Sequence, residues 1–299
     1  MVCYNGERHI REAMESLLAQ SWRDFTVTVV DDASTDQTAA IAAEYAARDP
    51  RVTVFRNPAR QGYVGNSVAA FQRSPAGAPN GAEFFAWVSD HDLHEPRWIE
   101  TLVAAFHANP NAILAYPLTV RISDTGERLP APPTRFATCG LTRDAAALAA
   151  ARDGIGFGNM VYGLFRASAL RSSGILRRLL LPDAVLIIEM SRLGCIVQVP
   201  EELWHRRYAN LFSLERQRRN LFARPPWWAA LPPGLVNPAV LLWHLALKPS
   251  AGPPSARWLG FRMAWRTGWR ALALAVLPLI RPQTRTARVL RGMYHRVAR

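Results

Sequence analysis

The chain has 299 residues, of which 49% are hydrophobic and 20% charged, and this composition excludes a disordered or fibrous protein. The length suits one large α/β domain with an extension, or two small domains. The formal net charge of +13 is uneven, because seventeen Lys and Arg but only one acidic residue, Glu215, follow Leu203. We therefore expect any acidic partner to meet the C-terminal third of the chain.

Three cysteines, Cys3, Cys139 and Cys195, are widely spaced and form no C-x-x-C pair, so they predict neither a disulfide framework nor a zinc site. We expect three buried, reduced thiols, as in a cytosolic protein. Met1 leads directly into "VCYNGERHI", so no signal peptide is expected. Prolines interrupt the nearest candidate for a membrane span, residues 226–247, so no spanning helix is expected either.

The first half of the sequence alternates predicted strands with predicted helices. The predicted strands are "MVCY", "FTVTVV", "RVTVF", "EFFAWV" and "AILAYP". After the first strand, Ile10, Met14 and Leu17 recur on one face of an amphipathic helix, and further helices are predicted in "STDQTAAIAAEYAARDP", "GNSVAAFQRS" and "PRWIETLVAAFHANP". Single helices between strands imply right-handed crossovers and a mostly parallel sheet with helices on both faces.

Acidic residues stand where two of these strands end. Asp31 and Asp32 follow "FTVTVV", and Asp90 and Asp92 follow "EFFAWV". Open α/β sheets bind ligands outside the carboxyl ends of their strands. Carboxylates there suit Mg²⁺ or Mn²⁺, which complete their shell with substrate phosphates, so the predicted partner is a nucleoside diphosphate. A structural role stays open for both pairs, and the first pair is also suited to accept hydrogen bonds from a ribose or a base.

Three ordered stretches carry a family resemblance: "YNGERHIREAMESLLAQSWRDFTVTVVDDASTDQT", "NPARQGYVGN" and "FFAWVSDHDLHEPRWIETLVAAF". Together they resemble the inverting family 2 glycosyltransferases with the GT-A fold. The likeness covers roughly residues 1–210. It implies a nucleotide-sugar half at about 1–107 and an acceptor half at 108–210, in an α/β fold of Rossmann type.

On the donor side, the resemblance implies that Tyr4 lies against the nucleotide base and that Asp31 or Asp32 binds the base or ribose. Gly62 and Asn66 would line the nucleotide pocket.

Asp90 and Asp92 match the D-x-D motif of the family, whose last acid typically holds Mg²⁺ or Mn²⁺ on the diphosphate; Asp90 would also contact the nucleotide sugar. His91 stands where many members have another Asp or a neutral residue, and we expect an exposed spacer there rather than a metal ligand.

On the acceptor side, "NMVYGLFRASAL" and "LLLPDAVLIIEMSRLGCIVQVPEELWHRRYA" resemble the acceptor-binding region and the acidic motif after it. Asp183 matches the catalytic base, although the family usually has Glu-Asp where this chain has Pro-Asp. The alternative is that Asp183 is the N-cap of the following helix. The resemblance further implies acceptor or phosphate contacts, with a solvated charge run as the alternative for the last two residues: Gly163, Arg166, Arg206 and Arg207.

Residues 211–299 differ in kind, because they mix tryptophan, arginine and aliphatic residues. Three arginines recur every four residues next to tryptophans: Arg262, Arg266 and Arg270 beside Trp258, Trp265 and Trp269. Such helices are typical of the interface of an anionic membrane. Packing on the catalytic domain is the alternative, and nucleic acid is a weaker one, so no nucleic-acid partner is expected.

The function expected from the resemblance is sugar transfer from a nucleoside-diphosphate sugar to a hydroxyl of a glycan or lipid-linked acceptor, in cell-surface glycan or glycolipid synthesis. The protein would be cytoplasmic and peripheral at the inner face of the cytoplasmic membrane. One alternative is a catalytically silent relative that acts as a membrane-associated binding protein. A nucleotidyltransferase is another, but it would normally have a Gly-rich phosphate loop after the first strand, and "YNGERHI" has a single Gly.

Overall fold

The computed structural model describes residues 1–131, 134–153, 157–208, 214–247 and 254–276. Its N-terminal part is a three-stranded parallel sheet in the order β1-β2-β3, with a helix after each strand. The strands are β1 (Val2–Cys3), β2 (Val27–Asp31) and β3 (Val52–Arg56), and the helices are α1 (Ile10–Leu18), α2 (Thr38–Arg48) and α3 (Gly62–Arg73). The alternation predicted for this part is what the structure contains.

The second sheet is mixed and has the order β4-β8-β6-β9-β5, with β7 paired to β6. Its strands are β4 (Phe84–Phe85), β5 (Leu93–His94), β6 (Ala112–Ile122), β7 (Arg128–Leu129), β8 (Leu164–Arg166) and β9 (Cys195–Arg207). The long strands β6 and β9 are parallel to each other, and the other pairs are antiparallel. The mostly parallel pattern therefore holds for the first sheet, while the second half adds antiparallel strands.

The two sheets meet at β1. The Val2 amide donates to the Val88 carbonyl at 3.1 Å, and Val2 forms an isolated parallel bridge with Ser89. Of the predicted strand "EFFAWV", only Phe84–Phe85 pairs as a regular strand, while the rest runs beside β1. This junction brings the D-x-D segment to the carboxyl end of the first sheet.

The remaining helices of this part are α4 (Trp98–Ala108), α5 (Arg143–Asp153), α6 (Phe157–Met160), α7 (Ala167–Ser172) and α8 (Pro182–Met190). The apolar stripe predicted on α1 is buried, since Ile10, Met14 and Leu17 are each at most 4% exposed. It packs in one core with β2 and α4, and a second core lies around β6, β8 and α8.

The C-terminal extension is helical, as predicted. It contains α9 (Leu214–Leu221), α10 (Pro233–Leu242), a π-helical turn (Trp243–Leu247) and α11 (Pro254–Val276). Its inner face packs into the second core through Leu241, Leu245 and Met263. Its outer face exposes large apolar side chains: Trp227, Leu231, Leu235, Trp243, Leu247, Trp258, Phe261 and Trp265.

Parts of the predicted extension lie outside the described residues, namely 211–213, 248–253 and 277–299 and the side chains of Trp269 and Arg270. Within the described ranges, none of the helices combines the length and the apolarity that crossing a membrane requires.

The expectation of three reduced thiols is wrong, because Cys139 and Cys195 form a disulfide with a Cα–Cα distance of 4.9 Å. Only Cys3 is a free, buried thiol among the described residues. The pair is 56 residues apart in sequence and has no motif to mark it. Tertiary contacts bring it together, since Thr138 exchanges hydrogen bonds with Ile196 at the start of β9. Cysteine usage therefore gives no support for a reducing compartment.

Candidate active site

The candidate site lies where β1, β2 and the segment after Val88 end side by side. Three non-glycine residues at its edges have left-handed backbone: Asn5, Ala33 and Leu181, with φ of 52°, 59° and 54°. Such conformations are uncommon outside glycine and often accompany tight turns at functional sites. Asn5 and Ala33 turn the chain directly after the two strands, and Leu181 precedes Asp183.

Asp31 and Asp32 are both buried, and the protein itself occupies their oxygens. Asp31 accepts from the hydroxyl of Ser34 and pairs with Arg56 at 3.3 Å. Asp32 accepts from the backbone N–H groups of Gln61 at 2.7 Å and Gly62 at 2.8 Å, so it holds the start of α3. The structure thus gives both residues the turn-forming and capping role that the sequence left open, and a contact with the base or ribose stays a prediction.

Asn66 and Gly62 shape the wall of the site through backbone contacts. Asn66 is 2% exposed, and its side-chain amide donates to the Val30 carbonyl at 2.9 Å while its oxygen accepts from Asn57. Gly62 has φ +78°, and a Cβ there would lie 2.7 Å from backbone atoms of residues 221–223. The C-terminal extension therefore touches the loop that Asp32 organises.

Tyr4 is 41% exposed, and the guanidinium carbon of Arg60 lies 4.4 Å from the centre of its ring. Arg60 also donates to the Arg219 carbonyl on α9 at 3.0 Å. An open aromatic ring beside a guanidinium is a surface on which a nucleobase can stack. Arg60 belongs to the quoted stretch "NPARQGYVGN", but nothing in the sequence showed that it reaches Tyr4.

The D-x-D segment has both carboxylates buried, with Asp90 at 6% and Asp92 at 1% exposure. Asp90 accepts from the Tyr4 amide at 3.1 Å and is 2.7 Å from His91 Nδ1, whereas Asp92 accepts from the Arg207 amide at 2.8 Å. His91 Nε2 lies 3.9 Å from Asp92, so the imidazole sits between the two carboxylates. Burial lowers the pKa of His91, but the hydrogen bond to Asp90 and the charge of Asp92 outweigh it and raise the pKa overall.

The donor set fits a hard divalent cation that uses one or two carboxylates. Asp90 and Asp92 create a negative potential that already favours a positive charge on His91. Within the part of the chain that the structure describes, no group of three or more His, Cys, Asp or Glu is suited to hold a metal ion. An ion at Asp90 and Asp92 would therefore complete its shell with phosphate oxygens and water, as Mg²⁺ and Mn²⁺ do.

Asp183 lies in the first turn of α8. The N-cap of α8 is Leu181, which makes no side-chain capping bond. The alternative interpretation, in which Asp183 is the N-cap, is therefore wrong. Burial raises the pKa of Asp183, which the Ala184 amide and the charge of Arg206 oppose. A Cβ added at Gly158 would lie 3.1 Å from Asp183 Oδ2 and 3.8 Å from Arg206 Nη1. Asp183 and Arg206 therefore both lie next to Gly158, and we call the place between them the opening.

Arg206 is surrounded by aromatic rings. Its guanidinium carbon lies 5.7 Å from the ring centre of Trp204 and 5.2 Å from that of Tyr208, and its Nη1 donates to Asn159 Oδ1 at 2.6 Å. Tyr162, whose ring centre is 5.9 Å away, has a pKa raised by burial. Tyr162 stands in the quoted stretch "NMVYGLFRASAL", but its role was not predicted.

Three other predicted contact residues are used elsewhere. Arg207 is buried, and its guanidinium donates to protein acceptors on three sides, so it braces the D-x-D segment. Arg166 pairs with Glu83 and packs over Phe84. Gly163 lies against β6, where a Cβ would meet the Ala115 carbonyl at 2.6 Å. Of the four predicted contact residues, Arg206 lies near Asp183, whereas Arg207, Arg166 and Gly163 make their contacts elsewhere.

The glycosyl transferase family 2 model matches residues 1–168. A stretch of 110 residues is 30% identical to an uncharacterized glycosyltransferase of Haemophilus influenzae, covering 36% of this chain and 32% of that protein. Another of 97 residues is 33% identical to an uncharacterized glycosyltransferase of Rickettsia typhi, covering 32% of this chain and 27% of that protein. The matches span between about a quarter and a third of the length of these curated relatives.

Solved structures extend the likeness to the whole chain at the level of the fold. TarS of S. aureus in complex with UDP-GlcNAc superposes with a TM-score of 0.59 at 14% identity, over 100% of this chain and 80% of that one. The mannosyltransferase PcManGT of Pyrobaculum calidifontis, in complex with GDP-Man and Mn²⁺, superposes with a TM-score of 0.52 at 14% identity, over 99% and 84%. The expected GT-A fold is confirmed.

Proposed function

The chain belongs to glycosyl transferase family 2, and on that premise we propose that it is an inverting glycosyltransferase that moves a sugar from a nucleoside-diphosphate sugar to a hydroxyl group. The observation that carries this proposal is the carboxylate of Asp183, which has a raised pKa and shares one opening with Arg206. A general base works best when its pKa lies close to the working pH. The UDP-GlcNAc and GDP-Man in the two similar structures support a nucleotide sugar as the donor.

The proposed donor site runs from Tyr4 to Asp92. The base stacks on Tyr4 beside Arg60, and the loop held by Asp31, Asp32, Gly62 and Asn66 forms the wall. Asp90 and Asp92 are the residues that would hold Mg²⁺ or Mn²⁺ for the diphosphate. The metal, when bound, offsets the negative charge that develops on the leaving phosphate. Arg207 keeps Asp92 in place through its amide hydrogen bond.

Asp183 then supplies the proton chemistry on the opposite side. Its carboxylate accepts the proton of the acceptor hydroxyl as the new glycosidic bond forms and the bond to the diphosphate breaks. A single displacement inverts the anomeric carbon, so no second carboxylate is needed as a nucleophile. Asp183 is half-buried, which reduces the access of water and so limits hydrolysis of the donor.

Replacing Asp183 by asparagine tests this assignment. Removing a general base costs about 10²- to 10⁴-fold in rate, while donor affinity should stay close to that of the wild type and the melting temperature should not fall below it. Asp144→Asn is the matched control, because Asp144 is an exposed acid in the first turn of α5. Undiminished sugar transfer by the Asp183→Asn enzyme would contradict the proposal.

Two other functions give different results in the same experiment. A catalytically silent binding protein would bind the nucleotide without any turnover in the wild type. A nucleotidyltransferase would release pyrophosphate from a nucleoside triphosphate and would not release a nucleoside diphosphate from a nucleotide sugar. Screening UDP, GDP and dTDP for thermal stabilisation, with and without Mn²⁺, identifies the donor class first.

Residues 1–210 form the catalytic unit in this proposal, with the donor half at about 1–107 and the acceptor half at 108–210, and residues 211–299 form a membrane-interfacial extension. The outer face of the extension exposes Trp227, Leu235, Trp243 and Trp258 at 54–76%. The excess of arginine and lysine in the same segment complements anionic lipid headgroups. The acceptor is accordingly a glycan or lipid-linked molecule at the inner face of the cytoplasmic membrane, in cell-surface glycan synthesis.

The membrane proposal is tested by substituting exposed residues, because deleting the extension would also remove Leu241 and Met263 from the core. The triple variant Leu235→Gln, Trp243→Gln, Trp258→Gln should lose sedimentation with phosphatidylglycerol vesicles. Leu141→Gln, an exposed leucine outside the extension, should sediment like the wild type. Equal sedimentation of the triple variant would exclude these residues as the membrane contact.

A further inference from the structure

Two arginines stand side by side next to the proposed acceptor opening. Arg121 on β6 and Arg206 on β9 are direct partners in the parallel ladder, so their side chains leave the same face of the sheet. Both guanidinium carbons lie close to the ring centre of Tyr208, at 4.7 Å and 5.2 Å. Tyr208 is 38% exposed and is tied to β6 by a hydrogen bond from its amide to the Ile122 carbonyl at 2.9 Å.

The charge of this pair is only partly balanced by the protein, because Arg206 interacts with the charge of Asp183 while Arg121 faces no such partner among the described residues. Neither Arg121 nor Arg206 has an ion-pair partner in the described ranges, whereas their neighbours Arg128 and Arg207 pair with Glu202 and Glu12. Like charges on opposed positions of two strands repel each other. The negative face of the Tyr208 ring offsets part of that repulsion, but the ring carries no full negative charge. Two guanidinium groups at one place, with one nearby carboxylate and no ion pair between them and it, are suited to bind an oxyanion.

The position of Arg206 indicates which substrate carries the anion. The Nη1 of Arg206 donates a hydrogen bond to Asn159. The carboxylate of Asp183 lies next to Gly158, the residue before Asn159. The group that loses its proton to Asp183 belongs to the acceptor. The donor diphosphate, in contrast, would lie at Asp90 and Asp92, where a divalent metal would neutralise it.

We propose that Arg121, Arg206 and Tyr208 form a subsite for an oxyanion of the acceptor, a phosphate or a carboxylate, so that the enzyme prefers anionic acceptors. This inference rests on the glycosyl-transfer function proposed above. It adds Arg121 and Tyr208 to the acceptor-binding residues and names the chemical class of the acceptor.

The test uses three probes that differ only in their anionic group: glycerol 3-phosphate, glycerate and glycerol. They are titrated into the full chain in the presence of Mn²⁺ and saturating UDP or GDP, so that the diphosphate site is occupied. We expect glycerol 3-phosphate or glycerate to bind with a Kd on the order of 1 mM and glycerol not to bind. The stronger of the two anions identifies whether a phosphate or a carboxylate is recognised.

Variants separate the subsite from general surface charge. Arg121→Gln should weaken binding of the anionic probe about tenfold or more, and Arg121→Lys should recover part of it. Arg128→Gln removes an equal charge on the neighbouring strand β7 and should leave the titration unchanged. The inference is wrong if Arg121→Gln binds the probe like the wild type, if no anion binds, or if the nucleoside diphosphate displaces the probe.

Failure of the glycosyl-transfer proposal has a different signature. In that case no sugar is transferred from any nucleotide sugar, whatever the probes do, and a nucleoside diphosphate stabilises the protein only if the chain is a silent binding protein. Binding of the anionic probes without nucleotide, lost in Arg121→Gln, would then show an anion site of another function and overturn its assignment to an acceptor.

Discussion

Replacing Arg207 by lysine distinguishes a structural brace from a phosphate contact. The Arg207 side chain is 4% exposed, and its three nitrogens point to different acceptors. Nε donates to the His91 carbonyl at 2.9 Å, Nη1 to the Asp124 carbonyl at 2.6 Å and Nη2 to Glu12 Oε2 at 2.7 Å. Lysine has one nitrogen, so it cannot reach all three acceptors.

The expected loss follows from these contacts. Hydrogen bonds to charged groups contribute about 1.5–3 kcal/mol each. Glu12 is 57% exposed and can be rehydrated, so the main loss comes from the carbonyls of His91 and Asp124. We expect Arg207→Lys to lower the free energy of unfolding by about 2–4 kcal/mol. Arg206→Lys, which loses one bond to Asn159 at a partly buried site, should cost below about 1 kcal/mol.

Urea unfolding of both variants measures the difference, and titration with nucleoside diphosphate and Mn²⁺ measures the effect on the donor site. If Arg207 is a brace, stability and metal-dependent affinity fall together, because the D-x-D segment loses its support. A phosphate contact would leave stability unchanged and lower affinity only. Arg207→Lys with the unfolding free energy of the wild type would refute the brace, as would an equal loss in Arg206→Lys.

Three further outcomes follow from individual residues. Gly62→Ala should destabilise the fold by about 1–3 kcal/mol, because φ is +78° and the new Cβ would meet backbone of residues 221–223 at 2.7 Å; an unchanged melting temperature would contradict this. Burial raises the pKa of Asp183, so transfer should fall as pH drops through that raised pKa. The stability advantage of Asp183→Asn should develop as pH rises from the ordinary pKa of an aspartate to the raised pKa and stay constant above it, since the ionised wild-type group is the destabilised form; a pH profile of transfer without that limb argues against the base. Reducing the Cys139–Cys195 disulfide should cost about 2–4 kcal/mol, measured as a lower melting temperature in dithiothreitol that a Cys139→Ala, Cys195→Ala double variant does not show.

Local patterns in the sequence determined the elements around the site. The spacing of Ile10, Met14 and Leu17 predicted a helix with one buried face, and the structure buries that face. The apolar run that ends at Asp31 predicted a strand, and β2 ends at that residue. Both predictions succeed because side-chain periodicity follows directly from helix and strand geometry. The family resemblance succeeded for a related reason, since its three motifs are continuous segments that follow successive strands.

Contacts between distant segments were decided only by the tertiary structure. The disulfide joins residues 56 apart, Arg60 reaches Tyr4 from the start of α3, and Arg121 stands beside Arg206 because β6 and β9 pair in parallel. None of these pairs leaves a periodic or spaced pattern in the sequence. The two consecutive arginines on β9 are a further example, because the sequence alone did not distinguish Arg207 from Arg206. Side chains alternate along the strand, so Arg207 is buried against Glu12 and Arg206 points toward Asp183. The physical reason is that a sequence specifies which face a side chain takes within its own element, whereas the partner on that face is set by how the elements pack.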